Sequence, residues 1–217
     1  TLFNLITGLV KPDTGTVRLA GETMSGLAPH TIVERGIART FQNLRLFANM
    51  TVSDNVLVGT HARTATGALG AVLRPPGVRR EEEAARKRAL GVLAIFGNRL
   101  LPRVTHLART LSYANRRRLE IARALVSEPV LLLLDEPTAG MNPTETLELT
   151  DQIRDLRARG ITILLIEHKL NVVNEIADTV IVLDHGEKIA EGRPEEVHRN
   201  EEVLSAYLGR TAARAAS

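Results

Sequence analysis

The chain has 217 residues, 44% of them hydrophobic, so it is long enough to bury the core of one α/β domain with a smaller helical insert. It has no cysteine, which excludes disulfides, and no apolar run near the roughly 18 residues that a membrane-spanning helix needs. The 28 Lys and Arg nearly balance 25 Asp and Glu, and aromatic residues are only 3%, so no nucleic-acid partner is expected.

Short elements are predicted in the first hundred residues. A strand over 16–20 ends in a Gly-Glu turn, and a helix over 29–35 is stopped by Gly36. The segment 59–77 is rich in Ala, Gly, Thr and Pro without a clean period, which is typical of a mobile loop. A longer helix over 81–96 is expected to bury one face, formed by Leu90, Leu93 and Phe96.

Residues 131–136 read Leu-Leu-Leu-Leu-Asp-Glu, a pattern that predicts a buried strand with two carboxylates at its carboxyl edge. Ligands bind at this edge in open α/β sheets. In a nucleotide hydrolase, Asp135 would hold Mg²⁺ through water, and Glu136 would polarise the water that attacks the γ-phosphate. Taken alone, the string also fits a strand followed by a polar loop.

A helix is predicted to begin at Pro143, with Asn142 as its cap and Glu145 three residues on, and to end at Gly160. Its buried stripe is expected to be Leu149, Ile153 and Leu156.

Two more strands are predicted, over 161–166 and 179–183, followed by 187–190 and a carboxyl-terminal helical pair. His168 comes just after the first of them, at an edge where an imidazole can donate a hydrogen bond to developing charge. Because strands alternate with helices, a mostly parallel sheet is expected.

Five segments stand in a fixed order along the chain: Thr-Phe-Gln at 40–42, the run 111–125 that begins Leu-Ser-Tyr-Ala-Asn, the strand 131–136, Pro-Thr-Ala-Gly-Met-Asn-Pro at 137–143, and Glu-His at 167–168. In that order they resemble the Q loop, signature, Walker B strand, D loop and H loop of an ABC-type ATPase.

Further segments narrow the resemblance. They are Gly-Ile-Ala-Arg-Thr-Phe-Gln-Asn at 36–43, Arg-Leu-Phe at 45–47, Leu-Arg-Pro-Pro at 73–76, Tyr113, and Ala-Tyr-Leu-Gly at 206–209. Together these look like the ATP-binding subunit of branched-chain amino acid importers, and the resemblance runs from Thr1 to about Gly209.

The resemblance implies a P-loop NTPase-like α/β fold, in which 1–42 and 116–217 form the ABC ATPase core and 43–115 the inserted helical subdomain. Thr1 aligns just after the family's G-x-x-x-x-G-K-[ST] loop, whose N-H groups and lysine cradle phosphates. We therefore expect an N-terminally truncated subunit, inactive as residues 1–217 alone.

The resemblance also implies roles for individual residues. Glu136, His168 and Gln42 would be catalytic, and Gln42 and Asp135 would hold the metal. Contacts to nucleotide would come from Thr1, Ser112, Ala114, Asn115 and Asn142.

The signature departs from the family pattern at two of these positions. Ala114 stands where relatives place glycine, and Asn115 replaces a usual glutamine. The β-carbon of Ala114 could crowd a nucleotide or exclude a positive φ, which would weaken the site. A tolerated variant is the other reading.

The implied cofactors are ATP and Mg²⁺, and the implied partners are a second ABC ATPase subunit, identical or not, membrane permease subunits and, indirectly, an extracytoplasmic substrate-binding protein. Such a subunit lies at the cytoplasmic face of the plasma (inner) membrane, held there by the permease. Two alternatives stay open: a non-catalytic or degenerate ABC fragment, and a non-transport ABC ATPase. The transported molecule rests on the resemblance alone, so other amino acids, urea or amides stay open beside branched-chain amino acids.

Overall fold

The computed structural model describes residues 1–60 and 76–206. Most of the predicted mobile loop, residues 61–75, and the end of the chain from 207 lie outside this range. The chain divides into two compact units, Thr1–Ile166 and Glu167–Ser217. The predicted division into core and helical subdomain stays a prediction.

The first unit alternates helices and strands. In chain order they are α1 Leu2–Ile6, β1 Arg18–Leu19, β2 Glu22–Thr23, α2 Pro29–Glu34, β3 Ile37–Arg39, α3 Val52–Val58, α4 Pro76–Ile95, α5 Tyr113–Leu125, β4 Leu131–Asp135, α6 Pro143–Ala158 and β5 Thr162–Ile166. Short 3₁₀ turns connect α4 to α5.

The second unit contains an antiparallel hairpin and short helices. Its elements are α7 Leu170–Ile176, β6 Val180–Asp184, β7 Glu187–Gly192, α8 Pro194–Val197 and a final helical stretch over 201–206. β6 pairs with β7, so the predicted strand at 179–183 is present.

Three parallel strands in the order β3-β4-β5 form the sheet of the first unit. The central strand is apolar on both faces, since Leu132, Leu133 and Leu134 are fully buried. This confirms the predicted parallel sheet, although β5 is only partly buried and the strand predicted at 16–20 is just two residues long.

The core of the first unit packs α1 and α2 against the sheet. One buried cluster of this core comprises Phe3, Met24, Ile32, Ile37 and Leu133. Burying one apolar side chain of this size stabilises the fold by about 1.5–3 kcal/mol. The packing fixes α1 beside the start of the sheet.

The predicted buried face of the long helix is partly wrong. Leu93 and Phe96 are buried, but Leu90 is 46% exposed. The stripe continues instead through Ala85 and Ala89, which have the four-residue spacing of a helix face with Leu93. Leu90 follows Ala89 directly and therefore points about a quarter turn away.

The helix after the D loop matches its prediction closely. Asn142 accepts a hydrogen bond from the backbone of Glu145 at 2.9 Å, and the Glu145 side chain accepts from the Asn142 backbone. Leu149, Ile153 and Leu156 are buried as expected. The helix ends at Ala158, and Gly160 follows with a left-handed φ of 88°.

Among the described residues, no helix combines the length and the apolar character needed to cross a bilayer.

Candidate nucleotide-binding site

The Q loop and the Walker B carboxylates leave the sheet at the same edge. β3 and β4 run parallel with Arg39 opposite Leu133. Beyond that pair, the Thr40 N-H donates to the Leu133 carbonyl at 2.9 Å, and the Thr40 Oγ1 accepts from the Asp135 N-H at 3.4 Å. The exposed Gln42 and the carboxylate of Asp135 therefore both follow the carboxyl ends of neighbouring strands.

Glu136 has an unusual backbone conformation. Its φ is 44°, in the left-handed region that a residue with a β-carbon rarely adopts. Its N-H donates to the Ile166 carbonyl at 2.9 Å, so the pairing of β4 with β5 continues through this residue. The turn places the Glu136 carboxylate directly after the strand. A left-handed backbone is strained for a residue with a β-carbon, and strained residues are common at functional sites.

Arg39 connects Asp135 to the first helix. Its Nη2 lies 3.2 Å from Asp135 Oδ2, and its Nη1 donates to Asn4 Oδ1 at 2.7 Å and to Thr7 Oγ1 at 3.3 Å. The guanidinium also lies over the Phe3 ring, 5.3 Å from its centroid. Sequence reasoning missed this residue, although a charged side chain at the end of an otherwise apolar strand was a signal.

Asp135 fits the predicted role in holding Mg²⁺. Arg39 contacts one carboxylate oxygen only, and a carboxylate has about four acceptor positions. No three His, Cys, Asp or Glu side chains come together as a metal site in the described ranges. A single carboxylate is the usual protein contribution where phosphate oxygens and waters supply the remaining ligands of Mg²⁺.

The signature helix, α5, begins at Tyr113. Ser112 acts as its N-cap, and the Ser112 Oγ accepts from the Asn115 N-H at 3.4 Å. Ser112 is exposed at this amino-terminal end, where the helix dipole favours a negative ligand.

Ala114 and Asn115 lie in the first turn of this helix. Ala114 is not among the residues with positive φ, and the weakening of the site by its β-carbon stays a prediction. Both residues are buried, with Ala114 2% exposed, and Asn115 Oδ1 accepts from Arg118 Nη1 at 3.2 Å. Their contacts to nucleotide stay predictions.

A charged cluster holds the side of the signature helix that faces α6. The buried Arg118 donates to Glu148 of α6 at 3.0 Å, and Arg99 also pairs with Glu148. Burial lowers the pKa of the Arg118 guanidinium, whereas the hydrogen bond from Arg99 lowers the pKa of the Glu148 carboxyl. The helix is thereby tied to both α6 and the segment after α4.

The D loop packs on the signature. Gly140 has a φ of 72°, and a β-carbon built there would lie 3.1 Å from Cε1 of Tyr113. Two residues on, Asn142 is exposed and its side chain caps α6. Its predicted contact with nucleotide stays a prediction.

The two remaining predicted residues, Thr1 and His168, belong to different units. Thr1 is exposed and is the N-cap of α1, where its carbonyl accepts from the Asn4 N-H at 2.9 Å. His168 is exposed and belongs to the second unit, two residues after β5. The structure brings Gln42, Asp135 and Glu136 to one sheet edge, and the roles of all these residues stay predictions.

Comparison with known proteins identifies the family. The model of the ABC transporter family matches residues 1–139, and that of the branched-chain amino acid ATP-binding cassette transporter matches 187–213. The chain is 44% identical to the high-affinity branched-chain amino acid transport ATP-binding protein LivG of Salmonella typhimurium, and 42% identical to BraF of Pseudomonas aeruginosa. Each alignment covers 96% of this chain and 82% of the relative.

Solved structures agree with this assignment. The ADP conformation of MJ1267, an ATP-binding cassette of an ABC transporter, superposes with a TM-score of 0.80 at 32% identity, over 96% of this chain and 82% of that one. The cassette MJ0796, a dimer bound to ADP and Pi, gives a TM-score of 0.69 at 25% identity, over 89% and 79% of the two chains. These matches confirm the P-loop NTPase-like α/β fold. The chain therefore belongs to the family of ABC transporter ATP-binding proteins, which bind nucleotide and hydrolyse ATP.

Proposed function

We propose that, in a complete subunit that carries a phosphate loop, this chain binds and hydrolyses ATP to energise an ABC importer for branched-chain amino acids. The observation that carries the proposal is the pair of adjacent carboxylates, Asp135 and Glu136, at the end of a buried parallel strand. Similarity to LivG and BraF along nearly the whole chain supports the substrate class.

In this proposal the residues at the sheet edge divide the chemistry. Glu136 accepts a proton from the attacking water, and the exposed amide of Gln42 orients that water. Asp135 would hold Mg²⁺, and the ion would supply positive charge against the phosphate oxygens. His168 donates a hydrogen bond to the γ-phosphate as charge develops there.

The contacts from a second subunit follow from the signature. ATP-binding cassettes of ABC transporters function as dimers with membrane permeases. Ser112, at the exposed start of α5, would contact the phosphates of ATP held by a second ABC ATPase subunit. Ala114, Asn115 and Asn142 would line the same interface, and Thr1 would lie beside the phosphates of its own chain.

The partner proposal concerns the segment after the Q loop. Leu44, Leu46 and Ala48 line a groove of about 190 Å³ next to Ala108, and Phe47 is exposed beside it. We assign this face to the permease subunits, which would hold the chain at the cytoplasmic face of the membrane. An extracytoplasmic binding protein would deliver the amino acid to the permease.

The test uses cells that lack their own LivG. The chain, preceded by a segment that carries G-x-x-x-x-G-K-[ST], should restore leucine uptake, and Glu136→Gln should abolish uptake. The isolated Glu136→Gln protein should still bind ATP but hydrolyse it at least about a hundredfold more slowly, because an amide cannot act as the base.

Glu82→Gln, at an exposed position of α4, is the matched control and should behave like the parent. Hydrolysis by Glu136→Gln within about twofold of the parent rate would overturn the assignment of Glu136. Restored uptake of urea or an amide without uptake of leucine would overturn the substrate class.

A further inference from the structure

A buried ion pair lies on the side of the signature helix that faces the Q loop. Arg117 Nη1 and Glu120 Oε2 are 3.0 Å apart, and both side chains are only 1% exposed. Removing two charges from water costs several kcal/mol per ion. The attraction within the pair offsets this cost only when further hydrogen bonds satisfy both groups, so a pair buried this deeply needs further partners.

Those partners are backbone groups of the Q loop. Arg117 Nη1 donates to the Phe41 carbonyl at 2.6 Å, and its Nη2 donates to the Gln42 carbonyl at 2.9 Å. Glu120 Oε1 accepts from the N-H groups of Phe41 at 3.5 Å and Arg45 at 3.4 Å. Phe41, Gln42 and Arg45 lie outside helices and strands, so the two side chains supply hydrogen-bond partners that regular secondary structure does not.

The same helix carries the signature at its start. Ser112 caps α5, and Arg117 lies little more than one turn further on, where its Nη2 also reaches the Tyr113 hydroxyl at 3.4 Å. Because a helix is stiff over this distance, the backbone bound by Arg117 and Glu120 is fixed relative to Ser112. The guanidinium suits this role because its planar fork reaches two carbonyls at once.

We propose that Arg117 and Glu120 are positioning residues that couple the Q loop to the signature helix. They hold the loop backbone so that the Gln42 side chain and Ser112 keep one spacing and move together when nucleotide closes the dimer. The coupling of loop to helix stands on the geometry alone, whereas its effect on hydrolysis rests on the function proposed above for Gln42 and Ser112.

The experiment separates this role from a merely structural one. Arg117→Met and Glu120→Leu are combined, because an apolar pair of similar size often replaces a buried ion pair without loss of stability. We expect the double variant to unfold at nearly the parent denaturant concentration. Its amides over residues 40–46 should exchange with deuterium at least about tenfold faster than those of the parent.

Two further variants complete the design. Arg117→Lys keeps the charge beside Glu120 but lacks the fork, so it should fold and still speed exchange over 40–46, by less than the double variant. Arg118→Met combined with Glu148→Leu removes the pair on the other side of the same helix and should leave exchange over 40–46 unchanged. The controls therefore distinguish loss of the Q-loop contacts from general loosening of α5.

Activity is measured in the chain that carries a phosphate loop ahead of Thr1. The double variant should keep its ATP affinity within about twofold while kcat falls about tenfold, because only the positioning of Gln42 is lost. Unchanged exchange over 40–46 in both the double variant and Arg117→Lys would overturn the proposal. If exchange is faster in both variants but the parent does not hydrolyse ATP, the coupling is upheld and the proposed function is overturned instead.

Discussion

At the carboxyl edge of the sheet, Arg39 joins two segments that are far apart in the sequence. It pairs with Asp135, donates to Asn4 of α1 and to Thr7 just after this helix, and lies over the ring of Phe3. Only 12% of its side chain is exposed, so these contacts form largely out of water.

Arg39→Met should lower the free energy of unfolding by about 2 kcal/mol, because it leaves the half-buried carboxylate of Asp135 without its cationic partner. Urea denaturation of the 217-residue chain measures the loss. Arg35→Met is the control, since Arg35 pairs with Glu22 at the surface and such a pair contributes about 0–1 kcal/mol. Equal losses in both variants would contradict the importance given to Arg39.

The residues that sequence reasoning found and missed differ in how local their signals are. Asp135 and Glu136 follow an apolar run directly, so a string of six letters identifies them. The partners of Arg39 are 35 and 96 residues away, and no local pattern reports such a contact. Ala114 is a further case, because its helical φ depends on where α5 begins, and the signature letters alone do not show this.

At the scale of elements, the signature helix is anchored on two sides. Arg117 and Glu120 bind the Q loop, while Arg118 binds Glu148 of α6. Glu148 also pairs with Arg99, so one carboxylate serves two cations from different segments. This arrangement makes the stability of α5 and α6 depend on the charge of Glu148.

The pH dependence follows from the lowered pKa of Glu148, whose main cause is the hydrogen bond from Arg99. A carboxyl with a lowered pKa stabilises the fold above its ordinary pKa, about 4.3, and this stabilisation is lost as the pH falls through the lower value of the folded state. Glu148→Gln should therefore destabilise the chain at pH 7, and its deficit relative to the parent should shrink as the pH falls below the ordinary value.

Denaturant titrations of parent and Glu148→Gln at a series of pH values measure this difference. Asp151→Asn is the control, because Asp151 and Arg154 pair in the exposed part of the same helix. A deficit of Glu148→Gln that stays constant from neutral to acid pH would show that the charge of Glu148 is not what stabilises the two helices.

The helices differ in how well the sequence predicts them. α6 follows from its capping box and a stripe of large apolar residues, both of which are local. In α4 the buried stripe runs through Ala85 and Ala89, which carry little hydrophobic signal but allow close packing. Leu90 is more hydrophobic than these alanines and yet is exposed. Tertiary packing, and not the hydrophobic periodicity, therefore determines which face of α4 is buried.

At the scale of the whole molecule, the order of helices and strands predicted the parallel sheet but not where the chain divides. The boundary along the chain falls after Ile166, the last residue of β5. Strand alternation carries no information on this division, which depends on contacts between segments that are distant in the sequence. The family assignment adds a further level, the dimer, in which the signature of one chain would meet nucleotide on another.

Ser112→Ala, in a chain that carries the phosphate loop and Glu136→Gln, should weaken ATP-dependent dimerisation while leaving the ATP affinity of the single chain nearly unchanged. The hydroxyl would contact nucleotide only across the interface. Sedimentation with and without ATP measures the dimer, and calorimetry measures the affinity of the single chain.

Loss of a cap also destabilises a helix by about 1 kcal/mol, so the control removes a comparable cap elsewhere. Thr51 caps α3 by accepting from the Asp54 N-H at 3.1 Å. Thr51→Ala should therefore lower stability to a similar extent and leave dimerisation intact. If both variants impair dimerisation equally, Ser112 acts only as a cap.

At Glu136, a backbone conformation that lowers stability occurs at the residue whose carboxylate is proposed to act in hydrolysis. A residue with a β-carbon costs about 1–2 kcal/mol in this conformation, whereas glycine adopts it freely. Glu136→Gly should therefore raise the melting temperature while removing the proposed base, and an unchanged or lower melting temperature would argue against strain. Thermal stability alone therefore favours glycine at this position, whereas the proposed hydrolysis requires the carboxylate.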